Sequence, residues 1–333
     1  MMPALYVREQ GAVLRRVGER LVVTKGEEVL EDVPIIHVDQ VVVMGNVQLT
    51  TPAVALLMQR EIDVVFLSSR GRFRGRLMAT GSKFARLRHA QLRMLDDGER
   101  VMGVARAVVE GKLRNQRALL QAQGNHREVQ RALDAIEAAR CQARRAATLD
   151  TLRGHEGAAS AAYFRALRTL IPQEWGFVRR IYHPPPDPVN ALLSLGYTLL
   201  LKDATAAVQL VGLDPYLGFF HALDYGRPSL ALDLIEPFRP TVDGLVLDLI
   251  RRGAVRQRDF SSKKRGDKVS VLLSEKALRG YLEAYERMMD ERVLYSPTGE
   301  RTTRRRCIEL QTREMAQVVL GKRRRFTPFT LEV

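Results

Sequence analysis

Short apolar runs rich in β-branched residues dominate the start of the chain, at residues 4–7, 12–17, 21–24, 41–43 and 63–67. Gly11, Gly18 with Glu19, Gly26, and Gly45 with Asn46 punctuate them. Short strands with frequent turns predict a small β-sandwich or barrel. Residues 51–60 interrupt this pattern. Thr51 is placed to cap, Pro52 suits a first helical position, and Ala53, Leu56 and Leu57 follow at helical spacing. The β-rich part therefore carries one short helix.

Beyond Gly81 the texture changes. Residues 84–123 are rich in Ala, Leu, Arg and Gln, with few breakers. Apolar positions recurring every three or four residues predict further helices over 127–149, 156–170, 189–208, 229–251, 274–293 and 301–320. Residues 183–188 hold four prolines and read as a rigid connector, because the residue before each proline is pushed out of the helical region. A chain of 333 residues suits two domains. The expected fold class is α+β: a small β-sandwich-like domain over residues 1–80, then a larger all-α domain over residues 81–333. A β-domain of that size buries a modest core and gains by pairing with a second copy.

Charge narrows the partners. Lys and Arg number 53 against 38 Asp and Glu, a formal net charge of +15, which points to a polyanion: nucleic acid first, an anionic membrane second. Residues 251–268 hold Arg251, Arg252, Arg256, Arg258, Lys263, Lys264, Arg265 and Lys268 against Asp259 and Asp267, and read as an exposed, mobile loop. Arg301, Arg304, Arg305 and Arg306 form a second cluster, and residues 322–325 a third. Any one of these is ordinarily a solvated helix end; three together favour phosphate contacts. The two cysteines, Cys141 and Cys307, lack CxxC spacing and suit a reducing cytosol. The first 20 residues contain no apolar signal-peptide core. The uncharged run 40–59 is too polar to span a bilayer and 188–201 is too short, so a soluble cytoplasmic protein without membrane contact is expected. No GxxxxGK[ST] loop is present, which disfavours a nucleotide-driven enzyme.

Residues 213–240, LDPYLGFFHALDYGRPSLALDLIEPFRP, carry the candidate chemistry. Asp233 and Glu236 stand three apart in an apolar helix start capped by Ser229, which sets both carboxylates on one face among Leu230, Ala231, Leu232, Leu234 and Ile235. Nearly buried acids need a partner, and a metal ion compensates two of them. His221 lies upstream; an isolated His is more often a hydrogen-bonded core or surface residue. Asp233 equally suits a pair with Arg239 or Arg227. Glu156, in GHEGAASAAYF, starts a helix of small residues and equally suits a first-turn acid on the helix dipole. Tyr163 lies seven residues on, along the same face; packing is its simplest role, with DNA or a carboxylate as other partners.

These blocks resemble a known family. GHEGAASAAYF is similar to the Glu-containing signature of the CRISPR integrase family, CRISPR-associated protein one. Residues 190–201, NALLSLGYTLLL, resemble the helix after its Pro-rich connector, and residues 214–240 its most specific block. Lys112, Asn115 and Arg117, in GKLRNQR, also resemble a recurring family pattern. The likeness covers most of the chain in family order. It implies an N-terminal β-domain that joins a homodimer and a helical catalytic domain. It further implies that Glu156, His221 and Glu236 bind one divalent metal, with Asp233 beside them as an additional or water-mediated ligand.

Carboxylates with one imidazole suit Mg²⁺ or Mn²⁺, and the imidazole favours Mn²⁺. The implied reaction is metal-dependent endonuclease and integrase chemistry on double-stranded and branched DNA, in antiviral defence. The 3′-hydroxyl of a captured fragment attacks a phosphodiester of the CRISPR array by transesterification, and a small companion protein bridges two dimers. Two other readings account for the charge: a DNA-binding architectural subunit without catalysis, and a generic metal nuclease of repair.

Overall fold

The computed structural model describes residues 4–38, 40–67, 73–77, 84–124, 126–182, 184–265 and 268–331. Two compact units divide the chain, residues 1–89 and 90–333. The boundary expected near residue 80 lies outside the described residues, as does His183 of the connector.

The first unit holds two four-stranded sheets. One joins β1 (Ala4–Val7), β5 (Gln40–Met44), β7 (Asp63–Leu67) and β8 (Phe73–Leu77) in the order β1-β5-β7-β8. The other joins β4 (Glu28–Pro34), β3 (Arg20–Lys25), β2 (Val13–Val17) and β6 (Gln48–Leu49) in the order β4-β3-β2-β6. Alternation supplies the core: Leu14, Leu21 and Val23 from one sheet meet Leu5, Val7, Val41, Val43 and Val64 from the other. Leu56 and Leu57 of α1 (Thr51–Gln59) complete it. Burying each such side chain is worth roughly 1.5–3 kcal/mol. The pairings β1–β5, β5–β7 and β2–β6 are parallel, a feature that the strand pattern alone did not express.

The second unit is mainly helical. The expected helix over 84–123 is two, α2 (Ala85–Leu95), which runs across the division between the units, and α3 (Gly98–Gln121), which Asp97 caps by accepting from the Arg100 N–H at 3.1 Å. α4 (Arg127–Ala143) ends short of its expected limit, and α5 (Leu149–Thr169) begins seven residues earlier than expected, capped by Thr148. α6 (Pro188–Val211) starts at an Asp187 cap and packs against α7 (Ser229–Ile235), α8 (Arg239–Arg251) and α10 (Arg304–Val319). By length and composition α6 is apolar enough to cross a membrane, yet 61% of its most apolar stretch is buried inside the protein, so it serves as a core helix.

Three expectations need correction. The helix expected over 229–251 breaks into α7, a 3-10 turn (Glu236–Phe238) and α8, because Pro237 and Pro240 lack the N–H groups that a continuous helix requires. The segment 251–268, expected to be a mobile loop, instead leads through a 3-10 turn into a hairpin of β9 (Phe260–Arg265) and β10 (Lys268–Leu273); Asp267 and the side chains of residues 263–269 lie outside the described residues. The helices expected over 274–293 and 301–320 each lose an end to a second hairpin, β11 (Arg292–Tyr295) with β12 (Glu300–Thr303), which leaves α9 (Glu275–Asp290) and α10.

Candidate active site

The site is built in the second unit from α3, α5, the irregular segment after α6, and the α7–α8 junction. Glu156 sits in the middle of α5 rather than in its first turn, so the helix dipole does not account for it. Its Oε1 accepts from the Ser160 hydroxyl, one turn on, at 2.7 Å, and from the Lys112 ammonium of α3 at 2.5 Å.

Glu236 opens the 3-10 turn and is buried. Its Oε1 accepts from Arg239 Nε at 2.7 Å, and its Oε2 lies 2.6 Å from Lys112 Nζ. The two form a close buried ion pair. Burial opposes the charge on Glu236, but Arg239, Lys112 and His221 outweigh it and hold the carboxyl well below its usual range. Burial likewise opposes the charge on Lys112, and the carboxylates of Glu236 and Glu156 outweigh it, so its pKa rises. Arg239 pairs with Glu236, not with the neighbouring Asp233, and lies 4.6 Å from the Tyr197 ring centre.

Asp233 is fully buried and points the other way. Its Oδ2 accepts the backbone N–H groups of Phe219 and Phe220 at 2.6 and 3.0 Å, and its Oδ1 accepts that of His221 at 2.9 Å. The Nδ1 of His221 lies 2.7 Å from the same Oδ1. Both oxygens are acceptors already, so Nδ1 is the donor. Nε2, the other ring nitrogen, lies 3.8 Å from Glu236 Oε1.

The segment carrying His221 is pinned from several sides. The buried Gln91 side chain donates to the carbonyls of Asp214 and Leu217 and accepts from the Asp214 N–H. Arg153 donates to the Phe220 carbonyl at 2.8 Å, and Ser229 to that of Ala222 at 2.7 Å. At Gly218 a Cβ would lie 2.5 Å from the Ser229 carbonyl carbon, so only glycine fits there. Asn115 fixes α3 to the Glu236 turn by donating to the Pro237 carbonyl at 2.6 Å; it also donates to Phe329 and accepts from Leu331.

Behind these residues lies a second buried network. Tyr163 and Tyr197 both donate to Asp243 of α8, at 2.7 and 2.5 Å. Tyr163 is thus a buried packing residue whose hydroxyl partner is a carboxylate, and it is removed from solvent. Burial pushes the Asp243 carboxyl up to about 6, against the pull of the Tyr197 and Tyr163 hydroxyls and of Arg180 and Arg239.

Glu156, Glu236, His221 and Asp233 therefore belong to one cluster, joined by Lys112 and Arg239. Among the described residues no three His, Cys, Asp or Glu side chains are gathered closely enough to enclose an ion. The donor set nevertheless fits a hard divalent cation. Two carboxylates already converge on one cation, the ammonium of Lys112. The anchored imidazole brings its other nitrogen to 3.8 Å from the Glu236 carboxylate. Sequence reasoning singled out the acids and the histidine but gave no role to Gln91, Lys112 or Asp243, and offered Arg239 only as a partner for Asp233. GKLRNQR marked Lys112 and Asn115 by resemblance alone; nothing marked Gln91 or Asp243.

Fold and site together define a two-unit α+β protein whose helical part holds a buried cluster of carboxylates, an imidazole and two cations. The chain belongs to the Cas1 family: the family described as CRISPR associated protein Cas1 matches residues 5–287. It is 36% identical to the CRISPR-associated endonuclease Cas1 3 of Thermus thermophilus, over 98% of this chain and 97% of that one. It is 38% identical to a Cas4 exonuclease and Cas1 endonuclease fusion of Rhodospirillum rubrum, over 95% of this chain and 56% of that longer protein. Among solved structures, a casposase bound to integration product superposes with a TM-score of 0.84 at 24% identity over the whole of both chains. A Cas1 protein from Thermotoga maritima superposes with a TM-score of 0.83 at 23% identity, over 96% of this chain and 97% of that one. At these identities the superpositions establish the shared fold.

Proposed function

We propose that this protein is a divalent-metal-dependent DNA endonuclease and integrase of CRISPR adaptation. The observation that carries the reading is the convergence of the Glu156 and Glu236 carboxylates on one cation, Lys112, with the His221 imidazole 3.8 Å from Glu236 and held by Asp233. The names of the relatives, CRISPR-associated endonucleases, and of a casposase bound to integration product support it.

Glu156, Glu236 and His221 would hold Mg²⁺ or Mn²⁺, and such an ion, when bound, supplies Lewis acidity at a phosphodiester oxygen. This chain's own residues do the rest. Asp233 fixes the tautomer and direction of His221. Arg239 fixes Glu236 through one oxygen and leaves the other facing the site. Arg239 adds positive charge where a phosphodiester and its leaving oxygen carry negative charge. The attacking group is the 3′-hydroxyl of a captured DNA fragment and the target is the repeat DNA of the array. With water as the attacker the same groups support endonuclease cleavage. The net charge of +15 suits double-stranded and branched DNA. The assembly is a homodimer joined through the β-rich unit, with two dimers bridged by a small companion protein, in the cytoplasm.

The test combines a short duplex with free 3′-hydroxyls, a supercoiled plasmid carrying a CRISPR array, Mn²⁺ and the companion protein. Metal-dependent joining of duplex to plasmid is expected. DNA binding without metal-dependent nicking or joining on any substrate would overturn the reading in favour of an architectural subunit.

A further inference from the structure

We propose that Lys112 is an exchangeable counter-cation of the site: its ammonium holds the place between Glu156 and Glu236 that a divalent ion takes, and leaves it when the ion binds. The proposal rests on the metal reading above and adds how that site is kept ready for its ion.

The two cations on Glu236 are built differently. Arg239 is bound to Oε1 at 2.7 Å and stacked on the Tyr197 ring, so its planar head is fixed on both sides. Lys112 pairs with Oε2 at 2.6 Å and with Glu156 Oε1 at 2.5 Å, as a point charge on a flexible stem. Removing the ammonium leaves Glu236 still paired with Arg239 and Glu156 still bonded to Ser160. Each carboxylate thus keeps one permanent partner and shares one that can be replaced.

The backbone beneath Lys112 has no freedom to follow. Asn115 ties α3 to the Pro237 carbonyl, and at Gly111 a Cβ would lie 2.5 Å from Pro328 and 3.2 Å from Pro237. Movement is therefore confined to the flexible four-carbon stem, and the side chain keeps 12% of its surface exposed, which leaves a way out. With neither Lys112 nor an ion between them, two carboxylates would face each other in a buried place with Arg239 alone to offset them, which is costly. With Lys112 in place the metal-free protein is charge-compensated and folds without its ion. A divalent cation must then displace a bound charge, which lowers its apparent affinity.

Two measurements on the full-length protein test this. The first labels metal-stripped wild-type protein with an amine-acetylating reagent at fixed pH, with and without Mn²⁺, and reads Lys112 by peptide mass spectrometry. Its acetylation is expected to rise several-fold along the Mn²⁺ binding curve, while the exposed Lys276 and Lys322 stay constant. The second compares Mn²⁺ binding, from the electron paramagnetic resonance signal of the free ion, in wild type and Lys112→Met. The variant is expected to bind at least about tenfold tighter, since no buried ion pair must be broken first. Its thermal unfolding temperature should be lower without metal and rise more on Mn²⁺ addition than that of wild type. Unchanged Lys112 acetylation at saturating Mn²⁺, or equal or weaker binding by Lys112→Met, overturns the exchange and leaves the metal reading standing. Wild-type protein that binds no Mn²⁺ overturns both. Should Lys112→Met not fold, the wild-type labelling decides.

Discussion

Asp233 spends both oxygens on four nitrogen partners, three of them backbone N–H groups and the fourth the imidazole of His221. In Asp233→Asn, whichever way the amide turns, an NH₂ group faces two donors. Metal-dependent cleavage should fall by roughly 10–100-fold, and stability by about 1–3 kcal/mol; a variant with wild-type rates would show that the orientation of His221 is immaterial. Spacing placed Asp233 and Glu236 side by side, but it could not show that one turns to His221 and the other to Lys112, because those partners come from distant segments of the chain. Asp243 makes a pH prediction. It titrates near 3.8 when unfolded and about 6 when folded, so the folded state binds its proton more tightly. Its contribution to stability is full below the unfolded value and is lost as the pH rises through about 6, on the order of 3 kcal/mol in all. Wild type should therefore gain stability relative to Asp243→Asn as the pH falls from 7 toward 4, measured by denaturant unfolding at each pH. A pH-independent difference would contradict the buried, protonatable state.

Elements were readable wherever periodicity was local. The strands around Leu14, Leu21 and Val43 and the helices α3 and α6 follow from alternation and from three- and four-residue spacing. The junction at Glu236 carried its own signal, since Pro237 and Pro240 end a helix whatever the apolar pattern around them. The hairpins were hidden for a different reason. β9 and β12 are rich in Lys, Arg, Ser and Thr and show no apolar alternation, and Val293 of β11 fell on the apolar face of the helix before it. Close approach of elements was not readable at all: nothing in the local spacing shows that Gly111 lets Pro328 and Pro237 abut α3. Gly111→Ala should destabilise the protein by about 1–3 kcal/mol through overpacking, despite the better helix propensity of Ala. An unchanged or raised unfolding temperature would show that this contact has slack.

Across the whole molecule the excess of positive charge is the property that composition alone expressed, and it separates binding from chemistry. Phosphate contacts release counterions, so DNA affinity should fall steeply and linearly in log–log form with salt, with little sequence preference. Replacing Lys263, Lys264 and Arg265 together by Gln should weaken binding and flatten that slope. An unchanged slope would place the DNA elsewhere on the protein.

The acids of the proposed site should act differently, since Glu236 repels phosphate and in that reading would serve the chemistry alone. The most direct measurement is therefore strand transfer and cleavage by purified Glu236→Ala over a Mn²⁺ titration, with DNA affinity measured in parallel and the fold checked by circular dichroism. The predicted result is activity lost by several orders of magnitude at every Mn²⁺ concentration, with DNA affinity equal to wild type or slightly higher. A folded Glu236→Ala protein with full metal-dependent activity would contradict the site assignment outright.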